Sequence, residues 1–265
     1  MSMRAGVLGS PISHSLSPAL HRAAYQELGL DWTYDAYEVT EWELGPFIAE
    51  LDDTWAGLSL TMPLKSAVIP LLDSVDDIAG LITSVNTVLP RDGGWHGTNT
   101  DIHGIVEAVR PHLPATPPPA TVIGTGATAR SVIAALARLD VTQALIVGRR
   151  PEAADDIVRL AGQLGVDARA IGYDPGPQPL ASPLVVCTLP GAEGSAWAAH
   201  AGGATGVLLD VSYHPWPSPL ALAWPTGRVA SGRDMLLWQA VEQVRLMTGR
   251  TPPVAAMEAA LRLEG

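Results

Sequence analysis

The amino-acid sequence predicts an α/β protein with two domains, the second built on a doubly wound sheet of the kind that binds a dinucleotide. Three features of the 265 residues lead to this prediction. Short apolar runs alternate with amphipathic stretches, which is typical of α/β folds. A stiff proline-rich spacer, residues 113–119, separates two such regions. Directly after the spacer, an apolar run leads into a glycine turn and then an apolar helix.

The composition limits the classes of partner. A net charge of -11 and a pI near 4.9 argue against nucleic acid and against an anionic membrane surface. The single cysteine, Cys187, excludes an intrachain disulfide and is typical of a reducing compartment. No N-terminal signal pattern and no apolar run approaching about 18 residues is visible, so we expect a cytoplasmic protein. None of the seven histidines pairs at the spacing of a helical zinc site, so no metal is expected.

The first region is predicted to contain a sheet and a helix that begins near two serines. Its strands are predicted at residues 4–8, 32–39, 55–60, 84–89 and 95–98. Ser17 and Pro18 are predicted as the N-cap and the first residue of a helix that Gly29 ends. Capping alone would explain Ser17. Ser15, Ser17 and His21 could also present hydroxyl and backbone N–H groups to a small polyol or carboxylate.

Lys65 is the residue of the first region that most strongly indicates chemistry. It is the only lysine in the chain, whose fifteen other basic residues are arginines. Arginine stays protonated at any working pH, whereas a desolvated lysine gives and takes a proton readily. Lys65 follows a short apolar strand, Thr61 and Pro63, a context that favours catalysis over a chance surface position. Asp101 precedes a helix predicted over residues 105–109, where a simple N-cap would account for it.

The second region alternates strands and helices. Strands are predicted at residues 120–123, 144–147, 168–171, 184–188, 206–211 and 228–230, of which those at 184–188 and 206–211 have the apolar pattern of buried strands. Helices are predicted from the glycine turn to residue 139, then at residues 153–164, 233–247 and 253–263. The turn from Gly124 to Ala129 reads Gly-x-Gly-x-x-Ala between a strand and a helix, which is the context of the Rossmann dinucleotide fingerprint.

The end of the next strand indicates which dinucleotide is bound. NAD-binding proteins carry a carboxylate there, whereas this chain has Gly148, Arg149 and Arg150. An arginine pair at a helix start is unfavourable unless an anion joins it. Two guanidinium groups can clamp a 2′-phosphate with charge-assisted bonds, so NADP is the predicted cofactor.

Several motifs, in the same order along nearly the whole chain, resemble those of the shikimate dehydrogenase family. The matching segments are Ser15-Leu16-Ser17 with His21, residues 59–65, Asn86-Thr87, Asn99-Thr100-Asp101, residues 124–129, Gly148-Arg149-Arg150, and Met235-Leu236 through Gln239. Residues 59–65 resemble the family's N-V-T-x-P-x-K segment, except that Ser59 replaces its asparagine. This replacement is expected to alter one polar contact to substrate.

The resemblance implies an N-terminal substrate domain, residues 1–104, that the C-terminal helices at 234–265 rejoin, and an NADP-binding Rossmann domain at residues 105–233. It implies NADPH-dependent reduction of 3-dehydroshikimate to shikimate, a step of aromatic amino-acid biosynthesis, with Lys65 as the proton donor and Asp101 holding it in place. The implied substrate-binding residues are Ser15, Ser17, Thr61, Lys65, Asn86, Asp101, Tyr213 and Gln239. The implied cofactor-binding residues are Gly124, Gly126, Ala127, Arg149, Arg150 and Gly232.

Three alternatives share much of this pattern. A quinate/shikimate dehydrogenase of broader substrate or NAD use would share nearly all of these features, but its NAD-using forms would show an acidic residue near Arg149. A methylenetetrahydrofolate dehydrogenase has a similar two-domain architecture and a lysine, but that function does not account for the set Ser15, Ser17 and Gln239. A non-catalytic sensor that binds NADP and shikimate on the same scaffold would show a damaged Lys65–Asp101 pair. The expected partner is a small-molecule substrate, and the chain is expected to be a monomer or homodimer.

Overall fold

Two six-stranded sheets organise the chain, one in each of two units. The computed structural model describes residues 2–264, except for the side chains of residues 191 and 192. Unit 1 comprises the chain up to Asp101 together with the chain from Leu236 onward, and unit 2 is Ile102–Met235. The domain boundaries expected from the sequence, after residues 104 and 233, lie three and two residues from these divisions.

Unit 1 contains a mixed sheet. Its strands are β1 (Arg4–Gly9), β2 (Thr33–Glu38), β3 (Trp55–Leu60), β4 (Ser74–Val75), β5 (Thr87–Arg91) and β6 (Gly94–Thr98). Their order is β2-β1-β3-β5-β6-β4. Strand β1 is parallel to β2 and β3, whereas β5 is antiparallel to β3 and β6. The predicted start of β5 at residue 84 is wrong, because Val85 N–H donates to the Lys65 carbonyl instead of to a strand partner.

The helices of unit 1 come from both ends of the chain. Those before residue 101 are α1 (Ser17–Glu27), α2 (Glu41–Ala49), α3 (Leu64–Ala67) and α4 (Asp77–Leu81). Helix α11 (Gly232–Thr248) starts in unit 2 and belongs to unit 1 from Leu236 onward, and α12 (Val254–Leu263) follows it. Leu237, Val244 and Met257 from these two helices share one buried core with Val7 of β1 and Leu20 of α1. The C-terminal helices therefore complete the core of unit 1.

The start of α1 differs from its prediction. Ser17 is the first helical residue rather than the N-cap, which is Leu16, and no side-chain cap is made. The Leu16 carbonyl already accepts the first intrahelical bond, from Leu20 N–H at 3.3 Å. The Ser17 hydroxyl is therefore not used as a cap. The predicted end of the helix is confirmed, since Gly29 adopts a positive φ of 63° just past its last turn.

Unit 2 contains an all-parallel sheet. Its strands are β7 (Ala120–Ile123), β8 (Gln143–Gly148), β9 (Asp167–Gly172), β10 (Leu184–Cys187), β11 (Val207–Asp210) and β12 (Val229–Ser231). Helix α5 (Asp101–Val109) precedes β7. The helices between the strands are α6 (Ala127–Arg138), α7 (Pro151–Gln163), α8 (Pro177–Leu180), α9 (Gly191–Ala198) and α10 (Pro219–Ala223). The order β12-β11-β10-β7-β8-β9 is that of the doubly wound dinucleotide fold. The predicted fold class is confirmed.

No helix within residues 2–264 is long and apolar enough to cross a membrane.

Candidate active site

Lys65 is the second residue of α3, and three contacts hold the backbone of this segment in place. The segment follows β3, and Thr61 N–H donates to the Leu8 carbonyl of β1 at 2.9 Å. Leu64 is fully buried in the core against β3 and anchors the start of α3. The Lys65 carbonyl accepts from Val85 N–H at 2.8 Å. The lysine is therefore presented by a rigid segment, and only 14% of its side chain is exposed.

Lys65 and Asp101 form a nearly buried ion pair. Lys65 Nζ donates to Asp101 Oδ2 at 2.5 Å, and the carboxylate side chain is 6% exposed. The other oxygen, Oδ1, accepts from Asn86 Nδ2 at 2.8 Å. Asp101 is the first residue of α5 rather than the residue before it, so the simple N-cap interpretation is wrong. Each carboxylate oxygen of Asp101 therefore accepts a hydrogen bond, one from Lys65 and the other from Asn86.

The amide of Asn86 is oriented by its neighbours. Its Oδ1 accepts from Thr100 N–H at 2.7 Å and from Thr87 Oγ1 at 2.8 Å. Because the oxygen is used in this way, Nδ2 must face Asp101, and it also approaches Gln239 Oε1 at 3.4 Å. Gln239 is buried on α11, as its helical spacing allowed, and its own Nε2 donates to the Leu236 carbonyl at 2.9 Å. The structure thus brings together Lys65, Asn86, Asp101 and Gln239.

A second buried network lies behind this cluster and is centred on Gln243, which the sequence analysis missed. Gln243 is fully buried one helical turn after Gln239. Its Nε2 donates to Thr87 Oγ1 at 2.9 Å, and its Oε1 accepts from Ser59 Oγ at 2.9 Å. The Ser59 hydroxyl in turn accepts from Tyr34 OH at 2.6 Å. The Ser59 hydroxyl is thus used in this internal network, and the expected effect of Ser59 on a contact to substrate stays a prediction.

His21 is part of the same network and not of a ligand-facing helix start. It is fully buried, its ring stacks on Tyr34 with the centroids 3.9 Å apart, and Nε2 lies 3.2 Å from Gln243 Oε1. Burial lowers the pKa of His21 to about 3, although the hydrogen bond to Gln243 opposes the shift. The imidazole is therefore neutral at working pH, and Nε2 carries the proton that it donates to Gln243.

The two serines and Thr61 border the same part of unit 1. Ser17 is buried, and its hydroxyl contacts the phenol of Tyr34, whose pKa is raised by burial. Ser15 is half-buried, and its Oγ accepts from Ser17 N–H at 3.4 Å. Thr61 lies half-buried, one residue beyond β3. Ser17 thus joins the network that runs through Tyr34, whereas Ser15 and Thr61 keep part of their surface exposed.

The glycine turn of unit 2 has the features of a phosphate-binding turn. Gly124 has φ +111°, and a Cβ atom there would overlap Thr188 Oγ1, so only glycine fits. Gly126 is the N-cap of α6, and beyond its neighbours in the chain no atom lies within 4 Å of the place that a Cβ would take. Ala127 is the first helical residue, and Ala129 is fully buried against the sheet. The turn leaves open space beside the N-terminus of α6, where an anion is favoured.

The remaining predicted cofactor residues lie around the same sheet. Arg149 and Arg150 follow β8 and are exposed, and Arg150 is the N-cap of α7. Gly232 begins α11, where a Cβ would overlap the Val211 carbonyl. Tyr213, predicted to line the substrate site, is half-buried in unit 2 after β11, and burial raises its pKa. The polar cluster of unit 1 does not include it, so its role stays a prediction.

A lysine–carboxylate pair in one unit and a dinucleotide-type sheet in the other define a two-domain α/β oxidoreductase. Two family descriptions match the chain: the shikimate dehydrogenase substrate binding domain over residues 7–88, and the shikimate 5′-dehydrogenase C-terminal domain over residues 232–262. The chain is 36% identical to the shikimate dehydrogenase (NADP(+)) of Citrifermentans bemidjiense, with 97% of this chain and 93% of the relative covered. The chain belongs to the shikimate dehydrogenase family.

Solved structures give the same result. The shikimate dehydrogenase of Mycobacterium tuberculosis is 39% identical, with a TM-score of 0.89 over 98% of this chain and 99% of that one. The shikimate 5-dehydrogenase of Thermus thermophilus, solved in complex with NADP(H) and shikimate, is 32% identical, with a TM-score of 0.86 over 99% and 100% of the two chains.

Proposed function

We propose that this protein catalyses the reversible NADPH-dependent reduction of 3-dehydroshikimate to shikimate, a step of aromatic amino-acid biosynthesis. The observation that carries the proposal is the nearly buried Lys65–Asp101 pair, with Asn86 and Gln239 beside it. Relatives named as NADP-dependent shikimate dehydrogenases match nearly the full chain, and the Thermus enzyme binds NADP(H) and shikimate. A non-catalytic sensor would not need an intact proton-transfer pair.

The residues of unit 2 fit the cofactor. The strained Gly124, the open space at Gly126 and the N-terminus of α6 suit a pyrophosphate, and the exposed Arg149 and Arg150 suit a 2′-phosphate. We assign Gly124, Gly126, Ala127, Arg149, Arg150 and Gly232 to NADP binding. The domain role of unit 2 is therefore cofactor binding, and that of unit 1 is substrate binding and acid–base chemistry.

The polar residues of unit 1 fit a polyhydroxylated carboxylate. Ser15 and Ser17 lie at the start of α1, where an anion is favoured, and we assign them to the substrate carboxylate. Thr61, Asn86, Asp101 and Gln239 offer both donors and acceptors, and we assign them to the ring hydroxyls. Tyr213 is assigned to the lining of the substrate site.

Lys65 performs the proton transfer. Bound NADPH supplies the hydride that reduces the ketone. Lys65 Nζ, as an ammonium, donates a proton to the oxygen that becomes an alkoxide, and takes it back in the reverse direction. Asp101 and its partner Asn86 keep Nζ oriented throughout, since both carboxylate oxygens are already engaged. A positioned acid of this kind contributes about 10²–10⁴-fold to the rate.

We infer a cytoplasmic enzyme, in keeping with the single cysteine, Cys187, which is free and buried.

The test is a panel of four reactions with the purified protein. Shikimate and quinate are each oxidised with NADP and with NAD, and cofactor reduction is followed by absorbance. The proposal predicts turnover with shikimate and NADP and little with the other combinations. Turnover mainly with quinate or NAD would transfer the assignment to a quinate/shikimate dehydrogenase, and NADP binding without turnover on any substrate would indicate a sensor.

A further inference from the structure

An ion pair in unit 2 joins two loops on either side of the glycine turn. Arg149 follows β8, and Glu193 lies in the first turn of α9, which follows β10. Arg149 Nη2 and Glu193 Oε2 are 3.0 Å apart. In the sheet, β7 lies between β8 and β10, and all three strands are parallel. The pair therefore reaches across the carboxyl end of β7, the strand that leads into Gly124.

This edge of the sheet is the place where a dinucleotide binds in such folds. From β7 the chain proceeds to β8 and β9 on one side, and from β10 to β11 and β12 on the other. The junction of β7 and β10 is thus the topological switch point, and ligands bind in the crevice outside it. The Arg149–Glu193 ion pair therefore lies at the edge of the sheet where a dinucleotide binds.

Glu193 is held in place by its own helix. Its backbone N–H donates to the Pro190 carbonyl at 2.9 Å, and its carbonyl accepts from Tyr173 OH at 3.3 Å. The Tyr173 hydroxyl in turn accepts from Nε1 of Trp197 at 3.2 Å, and Trp197 is fully buried. The first turn of a helix also favours a carboxylate. The backbone of Glu193 is therefore anchored at this edge of the sheet, with its carboxylate beside Arg149.

When a 2′-phosphate arrives, the guanidinium of Arg149 is therefore already paired with the carboxylate of Glu193. Its side chain is 62% exposed and that of Glu193 39%, so the pair is weak enough to exchange. A phosphate monoester carries about −1.5 to −2 charges and is the stronger partner, but Glu193 must release the guanidinium and then remains near the phosphate as a like charge. NAD lacks this phosphate and incurs neither cost.

We propose that Glu193 is a specificity-determining residue: by holding Arg149, it weakens binding of the 2′-phosphate and narrows the preference of the enzyme for NADP over NAD. The proposal rests on the function proposed above. Arg150 retains the overall preference for NADP, since within residues 2–264 no carboxylate forms an ion pair with it.

The test measures binding rather than activity. Dissociation constants for NADP, NAD, 2′,5′-ADP (adenosine 2′,5′-bisphosphate) and 5′-AMP are determined by titration calorimetry for the wild type and for Glu193→Gln. The variant should bind NADP and 2′,5′-ADP roughly two- to fivefold more tightly, the range expected from an exposed ion pair, with NAD and 5′-AMP unchanged. Glu152→Gln is the matched control, because Glu152 is exposed in the first turn of α7 and the substitution removes the same charge.

A double-mutant cycle separates the ion pair from general charge effects. In an Arg149→Met background, Glu193→Gln should improve the binding of 2′,5′-ADP less than it does in the wild type, because only the like-charge repulsion is then relieved. Unchanged or weakened binding of 2′,5′-ADP by Glu193→Gln, an equal gain from Glu152→Gln, or a gain of undiminished size without Arg149 would each overturn the proposal. Failure of the wild type to bind NADP at all would instead contradict the proposed function, so the two failures are distinguishable.

Discussion

Replacing Gln243 with leucine tests whether the buried network behind the active site holds Asn86 in place. The Gln243 side chain is fully buried, and its amide takes part in four hydrogen bonds. It accepts from Ser59 and His21, and it donates to Thr87 Oγ1 at 2.9 Å and to the Asn86 carbonyl at 3.3 Å. Leucine has a similar size and can make none of these bonds.

The expected loss of stability follows from the groups left without partners. The hydroxyl of Ser59 and the Nε2–H of His21 become buried donors without an acceptor, at a cost of about 1–3 kcal/mol each. Burial of the apolar leucine offsets about 1–2 kcal/mol. The net decrease in the free energy of unfolding is therefore expected to be about 1–4 kcal/mol.

The expected functional change follows from Thr87. Its hydroxyl donates to Asn86 Oδ1 at 2.8 Å, so loss of Gln243 frees the hydroxyl that orients the Asn86 amide. KM for shikimate should rise and kcat should fall, while the dissociation constant for NADP stays unchanged.

Urea unfolding and steady-state kinetics on the folded variant measure both effects. Gln163→Leu, at an exposed position at the end of α7, is the control and should change the free energy of unfolding by less than about 0.5 kcal/mol. A Gln243→Leu loss below about 1 kcal/mol would refute the energetic reasoning. A larger loss of stability with unchanged kinetics would mean that Gln243 stabilises the fold but does not orient Asn86.

Two further predictions concern His21 and the glycine turn. The pKa of His21 is about 3 in the folded protein and about 6.5 when unfolded, so between these values the unfolded state binds more protons and stability falls as the pH falls. From pH 7 to pH 5 the wild type should lose about 2 kcal/mol more of its free energy of unfolding than His21→Gln, and equal losses by urea unfolding would contradict this. Gly126→Ala should change that free energy by less than about 0.5 kcal/mol, since Gly126 has an ordinary φ of −83° and open space at Cβ. It should nevertheless weaken NADP binding measured by calorimetry, because the backbone must approach the pyrophosphate closely; unchanged affinity would argue against that approach.

The sequence predicted what depends on local patterns. The turn at Gly124, the arginines after β8 and the placement of Lys65 after β3 follow from short motifs whose geometry is set by neighbouring residues. The fold class also followed, because strand and helix periodicities repeat along each region.

The parts that the sequence did not predict are side-chain contacts between distant segments. Gln243 joins Ser59 and Thr87 across most of the chain, and no local pattern distinguishes a buried glutamine from an exposed one. The Arg149–Glu193 pair likewise forms only because β8 and β10 flank β7. Ser17 failed as a predicted N-cap because capping propensity alone does not fix a helix start to a single residue.

The central claim is that Lys65 transfers the proton, and the kcat of Lys65→Arg with shikimate and NADP tests it most directly. Arginine keeps the positive charge that the nearly buried Asp101 requires, so the fold is preserved, but its guanidinium does not give up a proton at working pH. Calorimetry should show NADP affinity equal to that of the wild type. The account predicts a fall in kcat of about 10²–10⁴-fold. Turnover within tenfold of the wild type would remove Lys65 from the mechanism.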